Sequence, residues 1–327
     1  MRRSETTTSA SAFEEAPAGG RFPREDSFRH DDARMRYWTY SRTDQEQRRF
    51  DPVVVLVHGF RGDHHGLALI AEALSARWDV VVPDLPGFGR SEALTSRRHT
   101  AEAYALAVAD LLTRWGDRPV ILVGHSFGSV VAAKVAALGL PRVVGLALIN
   151  PICEPALDSS AKIPSLAASL FYRVCTELPE PLGNALVRSS VVTRISSMLM
   201  MRTPDRTLRR FINGQHDAYF GSFASRAVVL EAYESSIRDT VLGSARDVAV
   251  PTLLVAAEED DLGSIPGQEK LAALFRNARL EVIPDVGHLI HYEAPRRAAA
   301  MIDGFAEELE TVGAQDSQTE NAKEFSR

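Results

Sequence analysis

Cysteine is scarce in this chain of 327 residues: Cys153 and Cys175 are its two, and neither stands in a C-x-x-C or metal-ligand spacing. No disulfide framework is legible, and a reducing compartment is expected. No stretch approaches the roughly 18 consecutive apolar residues that a membrane span needs. Arg2-Arg3 is followed by no apolar run, so no secretory signal is read and the cytoplasm is the expected location. Basic excess is also missing. A formal charge of −6 and a pI near 5.9 argue against a nucleic-acid binder, and the arginines at 206–210 read as a solvated helix face. Gly87-Phe88-Gly89 is no phosphate loop, because Glu92 fills the third glycine position and no Gly-Lys-Ser/Thr follows. There is no H-E-x-x-H, and the adjacent His64 and His65 are expected to point apart. No metal and no cofactor are therefore expected.

What is present is an ordinary globular composition, 45% hydrophobic and 24% charged, with enough apolar material for one large core. The sharpest local signal is Gly124-His125-Ser126-Phe127-Gly128, fed by the apolar run 119–123 and left by a helix-compatible run at 129–138. A serine on a strand-to-helix turn is held in a strained backbone, and small residues two places before and after it avoid collisions. Such a turn presents Ser126 Oγ above the sheet, at the positive end of the next helix.

Two more segments join this one. Residues 53–57 read as a buried strand running into His58-Gly59-Phe60, where an acyl-transfer enzyme needs a backbone N–H for a developing oxyanion. Residues 280–283 read as a strand followed by a loop ending at Gly287-His288. Serine in the middle and histidine late fit the chain order Ser…Asp/Glu…His. On these three motifs the chain resembles the α/β-hydrolase superfamily, over roughly residues 35–310, in the branch with His-Gly-x early, Gly-His-Ser-x-Gly in the middle and Gly-His late.

The resemblance implies a nucleophile, Ser126, a base, His288, and an acid from the loop after the strand preceding the last one. That loop reads Glu258-Glu259-Asp260-Asp261, with Ala257 where the family commonly has glycine. Counting from the strand end favours Asp260, with Asp261 as its neighbouring alternative and Glu154 or Asp158 as the acid of another family variant. The oxyanion donors are expected to be the backbone N–H groups of Phe60 and Phe127. His125, His58, Asp84 and His291 read as structural, Asp84 as the residue bonding the sharp turn at 84–91.

Alternating strand and helix patterns predict a mostly parallel sheet with helices on both faces, an α/β class. Strands are expected at 35–40, 53–57, 80–84, 119–123, 143–149, 251–257 and 280–283. Helices are expected at 66–77, 100–115, 129–138, 267–275 and 295–309. Residues 29–150 and 248–312 form the predicted core, and 151–247, helical in pattern, a cap inserted over the carboxyl ends of the strands. Residues 1–28 and 313–327 are polar and read as disordered tails. Most of the cap's large apolar residues, Phe171, Tyr172, Met198, Leu199, Met200 and Met201 among them, are expected to pack its own core.

The resulting expectation is a serine hydrolase that cleaves a carboxylic ester of a small to medium apolar molecule, with an acyl-enzyme on Ser126. Two alternatives stand beside it. One is a carbon–carbon bond hydrolase of the meta-cleavage type, in which Arg194, Arg202 and Arg206 could hold a carboxylate. The other is a hydrolase-fold binding or signalling protein with little turnover.

Overall fold

The computed structural model describes residues 23–44, 50–158 and 162–324, with side chains to Thr311. The tail read at 1–22 lies outside the described residues. The first strand, β1 (Arg24–His30), begins inside the span read as tail. It was invisible to patterning because its sequence is charged and it pairs on one side alone, antiparallel to β2 (Ala33–Tyr40).

The remaining elements follow the predicted alternation: β3 (Val53–Val57), α1 (His64–Leu74), β4 (Asp79–Pro83), α2 (Ala101–Leu112), β5 (Val120–His125), α3 (Phe127–Ala137) and β6 (Val143–Ile149). After β6 come six helices, α4 (Lys162–Glu177), α5 (Glu180–Val187), α6 (Ser190–Met200), α7 (Arg206–Tyr219), α8 (Arg226–Ser236) and α9 (Leu242–Ala245). The chain then returns through β7 (Thr252–Ala257), α10 (Ile265–Ala272), β8 (Ala278–Ile283), α11 (Ile290–Glu293) and α12 (Pro295–Glu324). The closing helix therefore continues through residues 313–324, where a tail was expected.

The eight strands form one sheet in the order β1-β2-β4-β3-β5-β6-β7-β8. The pairs β1–β2 and β2–β4 are antiparallel and all others parallel. The unbroken Val-Val-Val-Leu-Val of β3 has a simple cause: alternate residues feed opposite cores. Val53, Val55 and Val57 pack with α2 and α3, whereas Val54 and Leu56 pack with α1 and α12. Both faces are thus covered, as parallel sheets require.

Tight backbone contacts fix where strand becomes helix at β5–α3. A Cβ on Gly128 would meet Val57 O at 2.2 Å, and one on Gly124 would meet Gly128 O at 2.3 Å, so α3 is drawn against the exits of β3 and β5. The turn between them is formed by Ser126.

Candidate active site

Ser126 sits at φ 54°, ψ −124°, a backbone that L residues seldom adopt. Three bonds hold it there: its N–H donates to Ile149 O at 3.0 Å, and its carbonyl accepts from Ser129 N at 2.8 Å and from Ser129 Oγ at 2.5 Å. Strain kept by surrounding packing in this way is a feature of functional turns. The exit of β3 lies alongside, since a Cβ on Gly59 would meet Ser126 Cβ at 3.1 Å.

His288 arrives from the loop after β8. Its Nε2 lies 2.9 Å from Ser126 Oγ and its Nδ1 2.9 Å from Asp260 Oδ2. A carboxylate can only accept, so Nδ1 carries the proton and the Nε2 lone pair faces the serine hydroxyl. The other oxygen of Asp260, Oδ1, accepts from Leu262 N at 2.8 Å, which fixes the carboxylate's orientation. Asp260 and His288 are buried, while Ser126 is partly accessible. Of the acids considered from sequence, the fold brings Asp260 to His288. Asp261 is exposed and ion-paired with Arg202, and Glu154 accepts from Ser264 Oγ at 3.2 Å.

The backbone N–H groups of Phe60 and Phe127 meet no acceptor among the described residues, and Phe127 is the first residue of α3. Both groups are therefore free to donate, Phe127 from the residue after the serine and Phe60 from the residue after Gly59. Phe60 also anchors the floor beneath the inserted helices. Its ring packs against Tyr172 of α4 at 6.2 Å and Tyr233 of α8 at 5.4 Å. Tyr233 donates to Ser165 O at 3.0 Å, and burial pushes its phenol up to about 12.

Four residues read as structural have structural partners. His58 donates from Nδ1 to Gly59 O at 2.8 Å and accepts at Nε2 from Leu85 N at 2.9 Å. Asp84 accepts from His64 N at 2.8 Å and Arg90 N at 2.7 Å, closing the turn around Gly89. His125 donates to the His288 carbonyl at 3.2 Å and lies 3.2 Å from His291 Nδ1. Burial, then the proximity of His288, pushes His125 down to about 3, so it stays neutral beside His288.

Two residues that sequence reading passed over also shape the site. Asn150, at φ 44° on the end of β6, donates to His288 O at 3.0 Å and accepts from Ala257 N at 2.7 Å. It couples the His288 loop to the end of β7, three residues before Asp260; a polar residue ending an apolar strand was the available signal. Arg61 is buried and donates to Phe220 O at 3.1 Å, Val187 O at 3.1 Å and Tyr172 Oη at 3.3 Å, tying the Gly59–Phe60 turn to the inserted helices.

Some expectations need correction. His64 and His65 do not point apart: their ring centroids are 3.8 Å apart, because His65 folds back to Asp63 while stacking on Tyr219. With Asp63 they bring potential ligand atoms within 4.8 Å of one another. His64 Nδ1 and His65 Nδ1 are already engaged by Asp84 and Asp63, at 2.9 and 3.2 Å. Met198 and Leu199, expected in the insertion's core, are exposed, while Met201 and Tyr172 are buried. Of the arginines considered for a substrate carboxylate, Arg194 and Arg202 are paired with Asp217 and Asp261. Surface hollows of about 430 and 350 Å³ are lined by Arg194 and Asp217 and by Arg24 and Trp115, and neither includes Ser126, His288 or Asp260.

A doubly covered, mostly parallel sheet with a serine on a strained strand-to-helix turn defines an architectural class, and a family model described as the alpha/beta hydrolase fold matches residues 52–295. The chain belongs to that family. Among its relatives, lipase LipV of Mycobacterium tuberculosis is 30% identical over 226 residues, covering 68% of this chain and 81% of the relative. The magnesium-chelatase 30 kDa subunit of Rhodobacter capsulatus is 27% identical over 261 residues, 77% of this chain and 85% of its own. A thermophilic esterase from Thermogutta terrifontis shares the fold at a TM-score of 0.69 and 22% identity, covering 89% of this chain and 100% of that one.

Proposed function

We propose that this chain is a serine hydrolase of carboxylic esters that reacts through an acyl-enzyme on Ser126. One observation carries the reading: the unbroken run Ser126 Oγ, His288 Nε2, His288 Nδ1 and Asp260 Oδ2, with both heavy-atom gaps at 2.9 Å. A hydroxyl is a weak nucleophile at neutral pH until a base takes its proton, and His288 is aligned to take it. Similarity to a lipase supports the ester as substrate class.

In the first half-reaction the Ser126 proton passes to His288 Nε2 as Oγ bonds the ester carbonyl carbon. The carbonyl oxygen becomes an oxyanion within reach of the Phe60 and Phe127 N–H groups. His288 then returns the proton to the leaving alkoxide as its C–O bond breaks. Water, deprotonated by the same nitrogen, attacks the acyl carbon, and His288 returns that proton to Ser126 Oγ as the Oγ–acyl bond breaks and the acid leaves. Asp260 holds the ring's tautomer and stabilises the imidazolium. The inserted helices act in this reading as a cap, with Phe60, Tyr172 and Tyr233 as its aromatic contact with the core. The substrate is a small to medium apolar ester.

A fluorophosphonate probe is expected to label Ser126 stoichiometrically, and a short-chain p-nitrophenyl ester to be turned over with a burst of nitrophenol. Ser126→Ala should abolish both. Undiminished turnover in that variant would refute the assignment.

A further inference from the structure

Charge is unevenly spread along this acidic chain. Residues 162–219, from α4 through α7, hold eight Lys and Arg against four Asp and Glu, although the whole chain carries −6. Three of the helices in that stretch also reverse the ordinary amphipathic pattern. In α4 the buried positions are Ser165, Ser169, Tyr172 and Cys175, whereas Ile163 is 80% and Leu170 64% exposed. Helix α5 buries Gly183 and Val187 and exposes Leu182 and Leu186. Helix α6 buries Thr193 and Ser197 and exposes Val191, Ile195, Met198 and Leu199, the last to 65%. A helix packed for its own protein's sake turns its aliphatic residues inward. A lone exposed leucine is unremarkable, but outward aliphatic stripes on three successive helices mark a surface meant to be covered.

The helices are joined by two-residue links, Leu178-Pro179 and Arg188-Ser189, so the three stripes are consecutive along the chain. The inner side of α4 rests on the core through Tyr172 and Phe60, and that of α6 on α7 through Ser197 and His216. Beside them, Arg194, Arg206, Arg209 and Arg210 border the hollow of about 430 Å³. Arg194 is paired with Asp217, but Arg206 and Arg210 are exposed and have no acidic partner among the described residues. A second copy of the chain is a poor cover, because a two-fold interface would set a patch of net positive charge against itself. An anionic sheet of lipid headgroups over acyl chains matches both features.

We propose that the outer face of α4–α6 docks on an anionic phospholipid bilayer, with the aliphatic stripes entering the interface and Arg206 and Arg210 meeting lipid phosphates. This docking is independent of whether Ser126 is the nucleophile.

The test is cosedimentation of the full chain with vesicles of phosphatidylcholine alone or mixed with phosphatidylglycerol, at low and high salt. Partitioning to the anionic vesicles is expected to exceed that to neutral ones by at least about tenfold and to fall with salt. The triple variant Leu170→Ser/Ile195→Ser/Leu199→Ser should lose at least about tenfold of that partitioning while unfolding at the parent's temperature. Arg206→Glu/Arg210→Glu should erase the preference for anionic over neutral vesicles, and it carries the test should the triple variant fail to fold. Absence of binding by the parent chain, or undiminished binding by both variants, overturns the proposal. So does light scattering that shows a parent dimer converted to monomer by the triple variant, since a second copy would then be the cover.

Discussion

At the scale of the residue, two adjacent aspartates have opposite surroundings. Asp260 is buried between His288 Nδ1 and the Leu262 N–H, whereas Asp261 is exposed and pairs with Arg202. Asp260→Asn keeps the shape but cannot hold the Nδ1–H tautomer, and its kcat on a soluble ester should fall by on the order of 10⁴-fold. Asp261→Asn removes a surface ion pair worth about 1 kcal/mol or less, and its kcat should stay within about threefold of the parent. Steady-state kinetics on purified variants decides, and equal losses would remove Asp260 from its role. This difference was readable from the count past the end of β7. The roles of Asn150 and Arg61 were not, because most of their partners are backbone groups contributed by segments up to 159 residues away. No local pattern encodes such partners.

At the scale of the element, legibility depended on whether apolar residues face inward. β3, β6 and β7 stand where continuous hydrophobic runs placed them, since both faces of those strands are covered. β1 was missed because Arg24-Glu25-Asp26 offers no alternation. α6 was misjudged for the opposite reason: its methionine and leucine suggested a core position, and the helix turns Thr193 and Ser197 inward instead. The coupling of the inserted helices to the core rests heavily on Arg61. Arg61→Met keeps the stem but leaves the buried carbonyls of Val187 and Phe220 without their donor, at about 1–3 kcal/mol each. Urea unfolding should show a loss on the order of 3 kcal/mol, and limited proteolysis should cut first within α4–α8. A variant as stable and as resistant as the parent would show that this tie is dispensable.

At the scale of the molecule, several histidines are buried in neutral form. Burial, then His288, pushes His125 down to about 3, and burial, then Arg61, pushes His216 to about 4. Burial likewise lowers His291, His58 and His99. The unfolded chain protonates each near pH 6.5, so between that value and the folded ones it binds more protons than the native state. Stability is therefore complete above about pH 6.5 and falls as the pH drops toward 4, by up to about 1.4 kcal/mol per pH unit for each such histidine. Denaturation midpoints measured from pH 8 to 4 should trace this decline. His216→Gln, which keeps a polar side chain beside Ser197, should make it shallower; an unchanged slope would mean that His216 titrates alike in both states.

The inserted helices leave the sheet after β6 and come back as β7, and these two strands are direct neighbours, with Leu146 opposite Thr252 and Ile149 opposite Val255. Removing or exchanging what lies between them would not break a single rung of that ladder. The molecule is in this sense modular: a different helical segment could be grafted between β6 and β7, with Arg61 rematched to its new neighbours, and the Ser126 hydroxyl, His288 imidazole and Asp260 carboxylate are expected to keep their spacing. The helical segment and the sheet that holds Ser126, His288 and Asp260 are thereby separable stretches of chain, joined at a seam that an exchange would leave intact.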